Sequence, residues 1–113
     1  MKLQKGTLKN LQEYAKEKAK ERGFSDETLQ ETLLLLTEEV GELTKACRKA
    51  NNMYVESGKE TNHTPAQEIA DVLNMTLAVA NKLGIDLEKE FLQKEEEVDK
   101  RKYERAGKVK SKE

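Results

Sequence analysis

The sequence has one cysteine, few aromatic residues and no long apolar run, and each shortage argues against a class of protein. A single cysteine, Cys47, cannot form an internal disulfide, and no CxxC pair is present, which favours a reducing, cytoplasmic location. With no tryptophan, three tyrosines and two phenylalanines, the chain offers little surface on which single-stranded nucleic acid would stack. No apolar run approaches the roughly 18 residues of a membrane-spanning helix, and the N-terminus lacks the apolar segment of a signal peptide.

Charged residues are abundant and nearly balanced. The 113 residues include 21 basic and 22 acidic side chains, which leave a formal net charge of −1. This balance argues against a self-repelling disordered chain and against specific nucleic-acid binding. Apolar residues make up only 35%, so the core is thin. We therefore expect part of the apolar surface to be buried against another copy of the chain, and we expect no membrane partner.

Apolar periodicity and capping residues predict an all-α fold, a compact bundle of about four helices. The clearest start is at Thr64 and Pro65, where an N-cap, a proline at the first helical position and Gln67 form a capping box. Gly23 and Gly84 are expected to end helices. The predicted helices span roughly 8–22, 26–50 (beginning after Ser25 or Asp26), 65–83 and 87–103, the last capped by Asp86.

Two segments lie wholly or partly outside these helices. Residues 51–63 are polar and long enough to be a functional loop. Residues 99–113 hold seven basic and three acidic side chains. We therefore expect a helical domain at 1–103 and a basic tail at 104–113, which is either solvated or close to a bound anion.

Four carboxylates fall at the margins of apolar helical stripes. On the second helix, Glu39 and Glu42 lie beside the stripe, whereas Glu38 points outward. On the third helix, Glu68 and Asp71 likewise lie beside the apolar stripe. The two stripes comprise Leu29, Leu33, Leu36, Val40, Leu43 and Cys47 on the second helix, and Ile69, Leu73, Thr76 and Ala80 on the third.

Packing these helices side by side would bring the four carboxylates together. Like charges at the edge of a buried face need a compensating cation. Oxygen ligands without histidine or cysteine favour Mg²⁺, with Mn²⁺ as a substitute. Spacing alone leaves open a second interpretation, in which these are ordinary acidic positions on solvated helices.

The two acidic segments also resemble a known family. Residues 38–43 (EEVGEL) and 68–73 (EIADVL) are similar to the EExxE…ExxD signature of the MazG-like nucleotide pyrophosphohydrolases. That family belongs to the all-α NTP pyrophosphatase superfamily, together with dimeric dUTPases and phosphoribosyl-ATP pyrophosphohydrolases. The similarity runs over about 29–101 and includes the turn at 83–87.

The resemblance implies a compact α-helical dimer or dimer of dimers. It implies Mg²⁺-dependent hydrolysis of a nucleoside triphosphate to the monophosphate and pyrophosphate, in a role that cleans the nucleotide pool. Glu39, Glu42, Glu68 and Asp71 match the family's metal-binding carboxylates. Glu38 matches the leading glutamate, and Glu38 or Glu39 is the candidate catalytic residue that accepts the proton of water.

The last helix matches the family only in part. Lys94 and Arg101 correspond to basic residues that would contact substrate phosphates. Val98 stands where the family commonly has asparagine, which puts one sugar or phosphate contact, and hence the substrate, in doubt.

Two other functions remain open. One is a phosphoribosyl-ATP pyrophosphohydrolase of the same fold, and the other is a non-enzymatic helical protein-interaction module. Of the remaining side chains, His63 has two interpretations, contact with a base or, more commonly, a plain surface position. Phe24 and Tyr14 could line a base pocket, but packing between helices is the more common role and is the one expected. Leu34, on an otherwise acidic face, is expected to make a subunit contact.

Overall fold

The computed structural model describes residues 1–57 and 63–106. Over these residues the chain forms four helices and no strand, as the all-α prediction requires. The helices are α1 (Thr7–Glu21), α2 (Leu29–Ala50), α3 (Pro65–Leu83) and α4 (Leu87–Asp99). None of the helices in this part of the chain is both long and apolar enough to cross a membrane. The middle of the predicted loop, 58–62, and the tail beyond 106 lie outside the described residues.

The helix boundaries at α3 and α4 follow from local capping. The Thr64 hydroxyl accepts from the Gln67 amide, and the Gln67 side chain accepts from the Thr64 amide, so the predicted capping box is present. Gly84 ends α3 with a φ of 66°, a left-handed conformation that glycine adopts without strain. The Asp86 carboxylate then accepts from the Lys89 amide at 3.2 Å and begins α4.

Two predicted boundaries were wrong. The N-cap of α2 is Thr28 rather than Ser25 or Asp26, because Thr28 has extended backbone and its hydroxyl accepts from the Glu31 amide at 3.1 Å. The last helix ends at Asp99 rather than near residue 103. There the Arg101 amide bonds to the Val98 carbonyl three residues back, at 3.0 Å, in a tightened final turn.

The fold is built around the α2–α3 pair, which makes the most extensive contact in the molecule. α1 packs on α3, and α4 packs on α1. Gln12 of α1 is buried and joins three parts of the chain. Its amide nitrogen donates to Asn81 Oδ1 at 3.0 Å and to the Ile85 carbonyl at 2.7 Å, and its oxygen accepts from the Leu87 amide at 3.1 Å.

The buried faces of α2 and α3 are rotated from the predicted stripes. Thr32 and Ala46 are buried on α2, and Glu68, Leu77 and Ala80 on α3, so only Ala80 of the predicted stripes is fully covered. Small side chains let the two helix backbones approach closely. Four larger apolar members of the stripes are 43% to 57% exposed in the single chain: Leu33, Val40, Ile69 and Leu73. The others, Leu29, Leu36 and Leu43, are half-buried.

Candidate active site

The α2–α3 pair brings three of the predicted carboxylates together. Oxygen atoms of Glu39, Glu68 and Asp71 all lie within 4.8 Å of one another. The helices α2 and α3 are antiparallel. Their acidic residues meet, and Leu35, which precedes Glu39, lines the same cleft as Met75, which follows Asp71. Glu42 is half-buried one turn along α2 and lies outside this three-residue cluster. Its role as a metal ligand stays a prediction.

Glu68 is the buried member of the cluster. Its side chain has no solvent exposure. Oε1 accepts a hydrogen bond from His63 Nδ1, whereas Oε2 has no donor among the described residues. A buried carboxylate oxygen without a partner is strongly unfavourable. A cation at Oε2 would remove this penalty, and an all-oxygen donor set suits a hard divalent ion, so the residues present fit a metal centre.

The surroundings of Glu39 disfavour its ionised form. Partial burial raises the pKa of the Glu39 carboxyl, and the negative charge of Asp71 raises it further. A hydrogen-bond contact with Glu68, the charge of Glu68 and the charge of exposed Glu38 act in the same direction. Either a proton or a bound cation relieves this repulsion.

His63 belongs to the site, although we predicted a plain surface residue from the sequence. Its ring is 60% exposed, and the same ring holds the buried Glu68 carboxylate. The only sequence signal for this contact is position, because His63 immediately precedes the N-cap Thr64 and so lies over the first turn of α3.

The two predicted phosphate-binding residues, Lys94 and Arg101, both pair with Glu97 of α4. Lys94 Nζ is 3.4 Å from Glu97 Oε2, and an Arg101 guanidinium nitrogen is 3.9 Å from the same oxygen. All three side chains are more than half exposed. Arg101 lies in the turn after the end of α4. This turn, and not the helix face, brings Arg101 to Glu97 beside Lys94.

Fold and site together define an all-α protein with a partly buried carboxylate centre suited to a divalent cation. The family model for phosphoribosyl-ATP pyrophosphohydrolase matches residues 6–102, and the chain therefore belongs to that family, which lies in the MazG-like all-α NTP pyrophosphatase superfamily. Its members are hydrolases that act on phosphoric anhydrides of nucleotides. No curated protein and no solved structure matches the chain significantly.

Proposed function

We propose that this protein is a MazG-like pyrophosphohydrolase that converts a nucleoside triphosphate to the monophosphate and pyrophosphate, using Mg²⁺ or Mn²⁺. Glu39, Glu68 and Asp71 would hold the metal, with Glu42 one turn further along α2 as a fourth ligand. The observation that carries the proposal is the fully buried Oε2 of Glu68, which has no donor in the described part of the chain and lies beside two further carboxylates.

The chemistry required is attack of water on a highly charged phosphoanhydride. When bound, the metal neutralises phosphate oxygens and acidifies water. The carboxylates hold and orient the metal, since they would repel the phosphates directly. Glu39, or the exposed Glu38, accepts the proton of the attacking water.

His63 orients the buried ligand in this scheme. By donating to Oε1 of Glu68, it leaves Oε2 for the metal. Such outer hydrogen bonds fix the direction of a ligand and typically change metal affinity or activity by about 10–100-fold.

Lys94 and Arg101 are proposed to contact the outer phosphates. Both are exposed, and both pair with the exposed Glu97, a contact that is weak in water. A triphosphate carries more negative charge than one carboxylate and would compete with Glu97 for these cations.

The second candidate substrate is phosphoribosyl-ATP. The description of the family model, which covers most of the chain, supports it as directly as the motif supports a simple nucleoside triphosphate. Both reactions break the same anhydride bond, between the α- and β-phosphates, so the carboxylate centre serves either substrate. Family membership favours an enzyme over the non-enzymatic interaction module.

A pyrophosphate-release screen tests the proposal. Purified protein with Mg²⁺ is assayed against canonical and modified ribo- and deoxyribonucleoside triphosphates and against phosphoribosyl-ATP. We expect turnover of at least one compound, abolished by EDTA and reduced roughly hundredfold or more by Asp71→Asn. The matched control, Asp26→Asn, changes an exposed aspartate before α2 and is expected to keep full activity. Full activity of Asp71→Asn with an intact helical circular dichroism spectrum would refute the metal assignment.

A further inference from the structure

A cleft opens between three helices beside the carboxylate centre. Its volume is about 390 Å³, within the roughly 300–1,000 Å³ of small-molecule sites. The cleft is bounded by α1, by the turn that follows it, by α2 and by α3. Much of its exposed surface is apolar and comes from side chains that include Ala15, Ala19, Leu35, Met75 and Ala78. Four charged residues also line it: Lys16, Arg22, Glu27 and Lys82.

Residues that line the cleft lie one turn away from the carboxylate centre on both helices of the central pair. Leu35 lies one helical turn before Glu39 on α2, and Met75 lies one turn after Asp71 on α3. Asn74 and Ala78 follow Asp71 on the same side of α3. One turn corresponds to a rise of roughly 5 Å along a helix axis, so on both helices the cleft-lining residues begin one turn from the carboxylate-bearing residues.

This distance agrees with the chemistry of the proposed substrate. In a nucleoside triphosphate the bond that breaks adjoins the α-phosphate, and the nucleoside is attached to that same phosphate. Phosphates held by a metal bound at Glu39, Glu68 and Asp71 would therefore place an apolar, aromatic base close to the carboxylates. A concave, partly apolar wall beside a charged centre is complementary to such a nucleotide.

Asn74 and Phe24 are among the cleft side chains that remain available to a ligand. The Asn74 side chain is exposed and makes no hydrogen bond to the described residues, whereas the neighbouring Asn81 amide is engaged by Gln12. Thr32 is likewise engaged, because its hydroxyl donates to the Thr28 carbonyl. Phe24 lines the cleft and is 50% exposed, so a face of its ring can stack on a base.

We propose that this cleft binds the nucleoside of the substrate, with Phe24 stacking on the base and Asn74 hydrogen-bonding its edge. Asn74 is then a specificity-determining residue, because its amide carries one acceptor and two donors that favour one base pattern over another. The inference rests on the proposed function for the position of the phosphates.

Nucleotide binding without metal tests the cleft separately from catalysis. The probes are the mononucleotides AMP, GMP, CMP and UMP, added in EDTA to the ¹⁵N-labelled protein while amide chemical shifts are followed. We expect the largest shifts at residues 19–25, 32–35 and 74–78. One base should bind more tightly than the others.

Matched substitutions then assign the roles. Asn74→Ala is expected to reduce the preference between bases by up to about tenfold, whereas Asn10→Ala, an exposed asparagine of α1, leaves it unchanged. Phe24→Leu is expected to weaken all four nucleotides by about tenfold, whereas Phe91→Leu on α4 has little effect. Thermal melts of each variant establish that it remains folded.

The outcomes separate this inference from the proposed function. Shifts in the cleft without pyrophosphate release by any nucleotide would support the cleft and refute the reaction. Metal-dependent release with shifts elsewhere, or with no cleft shift at millimolar mononucleotide, would refute the cleft and leave the reaction standing. Shifts of the cleft amides with protein concentration alone would show that a second copy occupies it, and would also overturn the inference.

Discussion

The carboxylate of Glu39 lies where its negative charge is unfavourable. Its carboxyl meets Glu68 and Asp71 at the α2–α3 contact, and these neighbours raise its pKa. The folded state therefore binds a proton at Glu39 more tightly than the unfolded state does. The penalty is absent below the ordinary pKa and complete above the raised one, so this residue lowers stability as pH increases through that window.

Neutralising Glu39 is therefore expected to stabilise the metal-free protein. In EDTA at neutral pH, Glu39→Gln should melt at a higher temperature than the native chain, and the advantage should disappear as pH falls below about 4.5. Mg²⁺ should then raise the melting temperature of the native chain more than that of the variant. Thermal unfolding monitored by circular dichroism gives each value, with Glu96→Gln on exposed α4 as control. A variant less stable than the native chain in EDTA would contradict this account.

His63 offers a second measurement at the residue scale. His63→Ala removes the donor to Glu68 Oε1 and is expected to weaken Mg²⁺ binding by about 10–100-fold in isothermal titration. His63→Asn retains an N–H donor and should recover part of the affinity. Equal affinity for the native and alanine proteins would show that Glu68 is oriented without His63.

The helices differ in where their ends are stabilised. α2, α3 and α4 each have an N-cap side chain next to them in sequence. α1 has none, because its N-cap is Gly6 in a left-handed conformation. The Glu88 carboxylate of α4 supplies the acceptor instead, at 2.9 Å from the Gly6 amide. The start of α1 therefore depends on the docking of α4.

The Gln12 network is expected to carry much of the attachment of α1. Gln12→Ala leaves the Leu87 amide and the Ile85 carbonyl without their partner. Both groups are only part-buried, so each loss should cost about 1 kcal/mol, the lower end of the range for unsatisfied groups. We expect the melting temperature to fall by roughly 10 °C. Gln93→Ala, an exposed glutamine in the interior of α4, is the matched control and should change it little. A similar loss in both variants would show that the effect does not come from the Gln12 network, because alanine is a better helix former than glutamine.

At the scale of the whole molecule, one side of the α2–α3 pair remains apolar and uncovered by the described residues. Leu33 and Val40 lie about 100° around α2 from its packed face, and Ile69 and Leu73 lie on the corresponding side of α3. In the antiparallel pair these four side chains share one surface, opposite the cleft. An apolar surface of this kind on a small soluble chain favours association with a second copy.

Sedimentation velocity tests this association. We expect a homodimer or larger assembly at micromolar concentration, with Val40→Lys and Leu73→Lys shifting the protein to monomer. Leu34→Lys, on a different side of α2, discriminates between the two surfaces, because it should leave a dimer made through Val40 and Leu73 intact. Dissociation by Leu34→Lys alone would assign the contact to Leu34 instead.

The sequence alone determined the features that depend on neighbours within a turn or two. Helical periodicity predicted four helices, and the local caps at Thr64 and Asp86 placed the starts of α3 and α4 correctly. The i, i+3 spacing placed Glu39, Glu68 and Asp71 at helix margins, which is why the acidic cluster could be anticipated.

The tertiary structure decided what depends on contacts between distant parts of the chain. Whether the protein's own helices cover an apolar stripe depends on how α2 rotates against α3, so the exposure of Val40 and Leu73 had no local signal. The same holds for the cap that Glu88 provides to α1, from more than 80 residues away. The antiparallel packing also leaves Glu68 fully buried, with one oxygen that has no partner among the described residues. This burial is the observation that separates the cluster from an ordinary acidic surface and supports the proposed metal site.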